Sequence, residues 1–116
     1  MIIKEKTLLS ALGSDEFIKL AVDIERRIIA AGCMFHVDCA EELVADGSHY
    51  LDVWGANIYP ADKKVEFDSL INIRPKDGNR SIEIQNKNIR QKVEDIITAY
   101  PEEAVSVIRG WMTQET

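Results

Sequence analysis

Polar side chains that could bind an anion gather at one end of a predicted β-hairpin. Two arginines beside a glycine-containing turn form an arrangement that suits a carboxylate or a phosphate group. His49, just before the first strand, could act as an acid or a base, which is a common role of histidine near neutral pH. The candidate ligand-binding residues are His49, Asp52, Asn72, Arg74, Asn79 and Arg80.

The same side chains also have a structural interpretation of about equal weight. Arg74 and Asp52 could form a cross-strand ion pair that contributes less than about 1 kcal/mol. Asn79 is also an ordinary turn residue. Burying Asn72 without a partner would cost about 1 to 3 kcal/mol. A polar residue within a strand therefore favours a functional role over a purely structural one. The sequence leaves open whether the chain is an enzyme.

The hairpin that must position these residues is predicted from two segments rich in β-branched and aromatic residues, residues 51–59 and 65–73. We predict that Tyr59 pairs with Val65 across a short polar loop. This register places Asp52 opposite Asn72 and diagonal to Arg74, on the face that points away from the core. The opposite face then forms a core face with Leu51, Val53, Phe67, Ile71 and Ile73. A slip of one residue would exchange the two faces.

Apolar residues at three- and four-residue steps predict a long helix in the first third of the chain. The apolar stripe consists of Phe17, Leu20, Ala21, Ile24, Ile28 and Ala31. Ser14 suits the N-cap of this helix, and Gly32 ends it. Residues 33–37 then form a candidate for a short strand.

Capping residues predict further helices. Asp38, followed three residues later by Glu41, resembles a capping box and predicts a short helix over residues 38–44. A second long helix begins at Asn86 or Asn88 and ends before a proline.

Together these elements predict a single α+β domain over residues 1–116. Its small antiparallel sheet is built on the central β-hairpin, and its helices pack on one face of that sheet. Residues 101–116 are predicted to form an extra C-terminal helix, with Trp111 and Met112 on its apolar side, followed by a tail.

Cys33, His36 and Cys39 have a spacing that resembles a metal site, but they supply three ligands where a closed zinc site needs four. Two cysteines are too few for the disulfide framework of a small secreted domain, and we interpret both as reduced thiols. His36 is interpreted as structural. Asp52 and Asp68 would lie about 13 Å apart along paired strands, too far to share one ion. The sequence therefore predicts no metal and no cofactor.

Charge and hydropathy narrow the classes of partner. The chain has 116 residues and a net charge of −6 at pH 7, which opposes long-range attraction to nucleic-acid phosphate. No stretch approaches the roughly 20 apolar residues of a membrane span. Charges stand near the N-terminus where a signal peptide has an apolar run. We therefore expect a cytoplasmic protein that binds neither nucleic acid nor a membrane.

Two blocks of sequence resemble a family of small prokaryotic domains of unknown function. They read D-V-W-G-A-N-I-Y-P from Asp52 and V-E-F-D-S-L-I-N-I-R-P-K-D-G-N-R-S from Val65. The resemblance covers about residues 15–98, and the segment from Pro101 looks like an addition. The family implies no activity, substrate or cofactor. It marks a pattern of residues: Trp54, Gly55, Asn57, Tyr59, Asp68, Ser69, Asn72, Arg74, Asn79 and Arg80.

Two functions from different classes follow. The first is a small anionic-ligand-binding domain that uses the six candidate residues. The alternative is a protein-interaction module without catalytic activity, acting as a homodimer or as half of a regulatory pair. The acidic composition, the short predicted strands and the apolar C-terminal helix favour this alternative. A metal-dependent nuclease is the least favoured function, because of the charge and the spacing of the carboxylates.

Overall fold

The structure is a computed structural model that describes residues 2–4, 17–59 and 64–99. Several predictions fall on other residues and lie outside this description. They are the N-cap at Ser14, the loop over residues 60–63 and the extra C-terminal helix over residues 101–116.

The described residues form an α+β fold with a five-stranded antiparallel sheet of strand order β1-β3-β2-β4-β5. The strands are β1 (Ile2–Ile3), β2 (Ile18–Asp23), β3 (Ile28–Ala31), β4 (Val53–Tyr59) and β5 (Lys64–Glu66), and the helices are α1 (His36–Ala45) and α2 (Lys87–Ala99). The predicted fold class, an antiparallel sheet with helices packed against it, is confirmed. Neither of these two helices has the length and apolar character that crossing a membrane requires.

The two helices cover opposite faces of the sheet. Successive residues of a strand point to opposite faces, so the contacts of neighbouring residues show which face each helix covers. Leu20 and Val22 belong to the core cluster that contains Val93 of α2. Ala21, between them, packs in a second cluster with Leu43 of α1. The sheet is therefore buried on both sides, which corrects the prediction that the helices pack on a single face.

The long helix predicted before Gly32 is wrong, because this segment forms the antiparallel hairpin of β2 and β3. The Asp23 side chain nucleates the turn: its Oδ1 accepts hydrogen bonds from the main-chain N–H groups of Glu25 (2.9 Å) and Arg26 (3.0 Å). Arg27 completes the turn with a left-handed φ of 58°. Almost every residue of both strands is buried, so the alternation that marks a half-exposed strand is absent.

The short strand predicted over residues 33–37 is also wrong, because α1 begins at His36. Phe35 is the N-cap of α1, and its side chain makes no capping hydrogen bond. Asp38 lies in the first turn of α1, where a negative charge is favourable, rather than at the cap. The short helix itself is confirmed, as is its end at Asp46.

Cys33 and Cys39 form a disulfide with a Cα–Cα distance of 5.7 Å, which corrects the interpretation of both as reduced thiols. The helical start at His36 is the reason. It brings Cys39, in the second turn of α1, back beside the loop that carries Cys33.

The hairpin of β4 and β5 is shorter than predicted and differs in register by one residue. Tyr59 pairs with Lys64 rather than with Val65, and β5 ends at Glu66. β5 is an edge strand, so this hairpin is not the centre of the sheet. The chain then turns through a 3₁₀ helix, Leu70–Asn72, where a longer strand was predicted.

The last described helix agrees with its prediction. The Asn86 side-chain oxygen accepts hydrogen bonds from the main-chain N–H groups of Asn88 (2.8 Å) and Ile89 (3.1 Å) and so caps α2. Val93, Ile96 and Ile97 of this helix are buried against the sheet.

Candidate functional site

Asn72, one of the predicted site residues, is fully buried and bonds to main-chain atoms. Its Oδ1 accepts a hydrogen bond from the Gly55 N–H at 2.7 Å, and its Nδ2 donates to the Gly55 carbonyl at 3.0 Å. Nδ2 also lies within hydrogen-bond distance of the carbonyl oxygens of Phe67 (3.2 Å) and Ile82 (3.0 Å). The Asn72 amide therefore takes the place of a neighbouring strand beside Gly55.

Arg74 is also buried, and each of its guanidinium nitrogens donates to a main-chain carbonyl. Nε donates to Ile71 (3.1 Å), Nη1 donates to Leu51 (2.9 Å), and Nη2 donates to Val53. The guanidinium carbon lies 4.2 Å from the centre of the Trp54 ring, a cation–π contact. Burial lowers the pKa of Arg74, while the charges around it act in the opposite direction.

Asn79 closes the same loop region from the other side. Its Nδ2 donates to the carbonyl oxygens of Asn72 (2.7 Å), Ser81 (2.8 Å) and Glu83 (3.0 Å). Its Oδ1 accepts a hydrogen bond from the Gln85 N–H at 2.7 Å. Asn72, Arg74 and Asn79 thus form one buried set of side chains, which we call the polar cluster.

The other three predicted site residues lie apart from these bonds. His49 and Arg80 are exposed, and Asp52 is half-buried in a 3₁₀ helix before β4. Among the described residues no ion pair joins Asp52 to Arg74, so the predicted cross-strand pair is replaced by bonds to carbonyls. The structure brings three of the six candidates together, Asn72, Arg74 and Asn79. Their side-chain donors bond to main-chain carbonyl oxygens. Anion binding by the six residues stays a prediction.

Gly55 is required beside the polar cluster because Ser69 packs directly over its Cα. A Cβ atom at position 55 would lie 2.6 Å from Ser69 Oγ and 3.1 Å from Ile71 Cγ1. We expect Gly55→Ala to lower the free energy of unfolding by about 1 to 3 kcal/mol, because the main chain must shift to relieve this overlap. Urea denaturation of Gly55→Ala, Ser69→Gly and the double variant measures the effect. If Gly55→Ala lowers the free energy of unfolding as much in the Ser69→Gly variant as in the parent chain, the steric explanation is contradicted.

A second feature, which the sequence analysis missed, is a groove of about 220 Å³ between the start of α1 and the 3₁₀ helix Leu70–Asn72. Its walls are mostly apolar, and we call it the apolar groove. Its lining residues are Lys19, Phe35, His36, Val37, Ser69, Leu70 and Ile71.

Large apolar side chains at the apolar groove are exposed to solvent. Leu70 is 78 % exposed, Phe35 is 56 % exposed and Val37 is 44 % exposed. Single exposed apolar residues are common on protein surfaces, but several around one concave site mark an interaction surface.

The polar groups of the apolar groove carry positive or neutral charge. Lys19 donates from Nζ to the Met34 carbonyl at 2.8 Å, and Nζ lies 5.2 Å from the centre of the Phe35 ring. His36 Nε2 lies 2.7 Å from Asn57 Oδ1 and 3.0 Å from the Ala56 carbonyl, so this nitrogen is the donor. Burial lowers the pKa of His36 below its usual value, which keeps the ring neutral at pH 7.

A separate acidic cleft of about 290 Å³ lies along β5 and is lined by Val65, Glu66, Phe67, Asp68 and Glu83. Burial raises the pKa of Asp68, and the neighbouring charges of Glu66 and Glu83 raise it further. Arg90 forms an ion pair with Glu83 at 2.7 Å and so neutralises one carboxylate. Within residues 2–4, 17–59 and 64–99, no group of three or more His, Cys, Asp or Glu side chains could hold a metal ion.

Comparisons with known proteins point to one family. A family model described as a protein of unknown function (DUF5674) matches residues 3–100. No curated protein and no solved structure matches the chain.

Proposed function

The chain belongs to the DUF5674 family of proteins of unknown function, and from this premise we propose that it is a protein-interaction module whose apolar groove binds a bulky apolar side chain of a partner. The observation that carries the proposal is the exposure of Leu70, Phe35 and Val37 around one concave site. Leaving these side chains in water is unfavourable by about 25 cal/mol for each Å² of apolar surface that a partner would cover.

The size of the apolar groove favours a side chain over a whole small molecule. Pockets for small ligands usually have volumes of roughly 300 to 1,000 Å³ and bury most of the ligand. The apolar groove has about 220 Å³ and opens between two surface segments. A site of this size fits the anchor residue of a protein segment, which is the usual centre of a small interface.

The charged groups at the rim of the apolar groove indicate which charge the partner carries. The Lys19 ammonium lies at the apolar groove, and α1 begins there with an N-cap, Phe35, whose side chain makes no capping hydrogen bond. Both features favour a negative charge, since the N-terminus of a helix carries a partial positive charge. The proposed partner is therefore a protein segment with a bulky apolar side chain next to a carboxylate.

A second copy of this chain is the other occupant to consider. Its net charge of −6 makes two copies repel one another, which is less favourable than binding a partner of lower negative charge. Light scattering of the parent chain and of Leu70→Glu distinguishes the two. A dimer that becomes a monomer in Leu70→Glu would identify a second copy as the occupant.

Anion binding by the polar cluster and Arg80 remains a separate and less supported proposal. All three guanidinium nitrogens of Arg74 donate to carbonyl oxygens of the main chain. A ligand would have to compete with these bonds, which are stronger because the donor is charged.

Selection of peptides tests the proposed interaction. A library of random peptides displayed on phage is selected on the immobilised full chain, and an enriched peptide is synthesised with a fluorescent label and titrated. We expect an apolar anchor beside aspartate or glutamate in the enriched peptides. Leu70→Glu should weaken binding by at least about tenfold, which corresponds to about 1.4 kcal/mol.

Leu51→Glu is the matched control for this experiment. Leu51 is 64 % exposed and lies in a 3₁₀ helix like Leu70, but it does not line the apolar groove. Its replacement should leave the affinity unchanged. Equal losses in both variants, or selection of the same peptides on Leu70→Glu, would overturn the proposal.

A further inference from the structure

We infer that the disulfide between Cys33 and Cys39 regulates the apolar groove, which binds its partner when the disulfide is intact and releases it when a dithiol reduces the bond. The inference rests on the proposed function. It concerns one wall of the site, because Phe35, His36 and Val37 lie in the chain segment between the two cysteines.

The disulfide ties the loop before this segment, residues 34–38, to the helix that follows it. The N-cap Phe35 gives α1 no side-chain cap. Further contacts are the hydrogen bond from Lys19 to the Met34 carbonyl, the bonds from His36 to β4, and the main-chain bonds that the Asp38 and Cys39 N–H groups donate to the Phe35 carbonyl. Breaking the disulfide therefore frees the loop end of the segment, residues 33–35, from its covalent link to α1, which begins at His36.

The opposite wall does not depend on the disulfide. Ser69 and Ile71 are held by the 3₁₀ helix Leu70–Asn72, where Ser69 Oγ accepts a hydrogen bond from the Ile71 N–H at 3.2 Å. Asn72 at the end of this helix is bonded to Gly55 of β4. Reduction thus moves one wall against a fixed one and changes the width of the apolar groove.

Accessibility determines the course of the reaction. Cys39 is fully buried, whereas Cys33 is half-buried, so the thiolate of a dithiol attacks the Cys33 sulfur. A new S–S bond forms there, the old one breaks, and its electron pair goes to the Cys39 sulfur, which takes up a proton. The second thiol of the dithiol then loses its proton and attacks the first sulfur of the same dithiol. The bond between that sulfur and Cys33 breaks, and the Cys33 sulfur takes up a proton. The products are two cysteine thiols and the oxidised, cyclic dithiol.

The surroundings of Cys33 accommodate the reduced state as well. Its Sγ lies 3.7 Å from Glu42 Oε2 and 3.9 Å from the Ala31 carbonyl oxygen, so a Cys33 thiol has acceptors for its hydrogen. A reversible bond also fits the predicted cytoplasmic location, because disulfides in that compartment are usually transient and redox-sensing.

The test measures segment mobility and binding on the full chain, with and without dithiothreitol. Mass spectrometry after alkylation establishes the state of both cysteines. We expect amide hydrogen exchange of Asp38 and Cys39, whose N–H groups donate to the Phe35 carbonyl, to become at least about tenfold faster on reduction, while exchange of residues 70–72 stays unchanged. The phage-selected peptide should bind at least about fivefold more weakly to the reduced chain.

A Cys33→Ala/Cys39→Ala variant is the control, because dithiothreitol should affect neither its exchange nor its affinity. Unchanged exchange of Asp38 and Cys39 on reduction would overturn the inference whether or not any peptide binds. Faster exchange with an unchanged affinity would also overturn it, and the proposed function would stand. Failure to select any peptide on the oxidised chain would instead remove the proposed function and this inference with it.

Discussion

An Asn72→Asp variant will unfold at pH 7 with a free energy about 3 to 5 kcal/mol lower than that of the parent chain. The side chain keeps its shape but loses the amide that donates to the Gly55 carbonyl. A carboxylate oxygen would instead face the carbonyl oxygens of Phe67 and Ile82 in a fully buried site. The free energy of unfolding of a small domain is about 5 to 15 kcal/mol, so this loss is a large part of it.

The pH dependence of this variant gives the prediction a distinctive sign. A buried carboxylate without a counter-charge has a raised pKa in the folded state, so the folded variant binds a proton more tightly than the unfolded chain. The loss of stability should therefore be smallest below about pH 4, the usual pKa of Asp in an unfolded chain, and should grow as the pH rises toward the folded-state pKa. Urea denaturation at several pH values measures it.

Asn88→Asp is the matched control for Asn72→Asp. Asn88 is exposed in the first turn of α2, where a negative charge is favourable. Its replacement should change the stability by no more than about 0.5 kcal/mol. A comparable loss in the two variants, or a loss at position 72 that does not depend on pH, would show that the Asn72 amide does not join this loop to β4.

The second large effect is expected for Arg74→Ala, which should lower the free energy of unfolding by about 3 to 4 kcal/mol. The change removes three hydrogen bonds from a charged donor to the carbonyls of Ile71, Leu51 and Val53. It also removes the contact with the Trp54 ring. Each buried carbonyl that loses its partner costs about 1 kcal/mol or more, and water entering the space recovers a part of this.

Arg80→Ala serves as the control for Arg74→Ala. Arg80 is exposed, and its replacement should stay within about 0.5 kcal/mol of the parent chain. Thermal and urea denaturation of both variants, together with phosphate titration by calorimetry, separates the two functions considered for Arg74. An Arg74→Ala variant that keeps its stability but loses phosphate binding would support an anion site and contradict the structural role.

The elements that the sequence predicts correctly are those with an unambiguous local signal. Asn86 caps α2 as predicted, because its side chain satisfies N–H groups within its own first turn. β4 is predicted because a run of apolar and aromatic residues from Val53 to Tyr59 suits a buried strand.

The hairpin of β2 and β3 could not be recognised from apolar periodicity. Leu20, Ala21 and Ile28 fit a helical stripe, and they also fit strands that are buried on both faces. The deciding feature is the turn at Asp23, whose side-chain bonds depend on conformation rather than on residue spacing. Arginine in a left-handed conformation at position 27 is uncommon and gives no turn signal in the sequence.

Three of the six predicted site residues form the polar cluster, but the sequence does not predict the contacts that they make. Asn72 and Arg74 are polar residues in an apolar segment, and the cost of burying them indicates that each has a specific partner. Those partners are main-chain carbonyls, which every residue carries, so the sequence does not identify them. The apolar groove was missed because Leu70 was assigned to a strand, and its 3₁₀ turn places the side chain in solvent.

The side chains of Asn72 and Arg74 also determine how far the sheet can be extended by another molecule. β5 pairs with β4 only from Asn57 to Tyr59, and among the described residues no strand pairs with the earlier half of β4 on that side. The amide of Asn72 occupies both main-chain groups of Gly55, and the guanidinium occupies the Val53 carbonyl. An unprotected edge is a template for intermolecular β-pairing and aggregation. In this family member two side chains block that template.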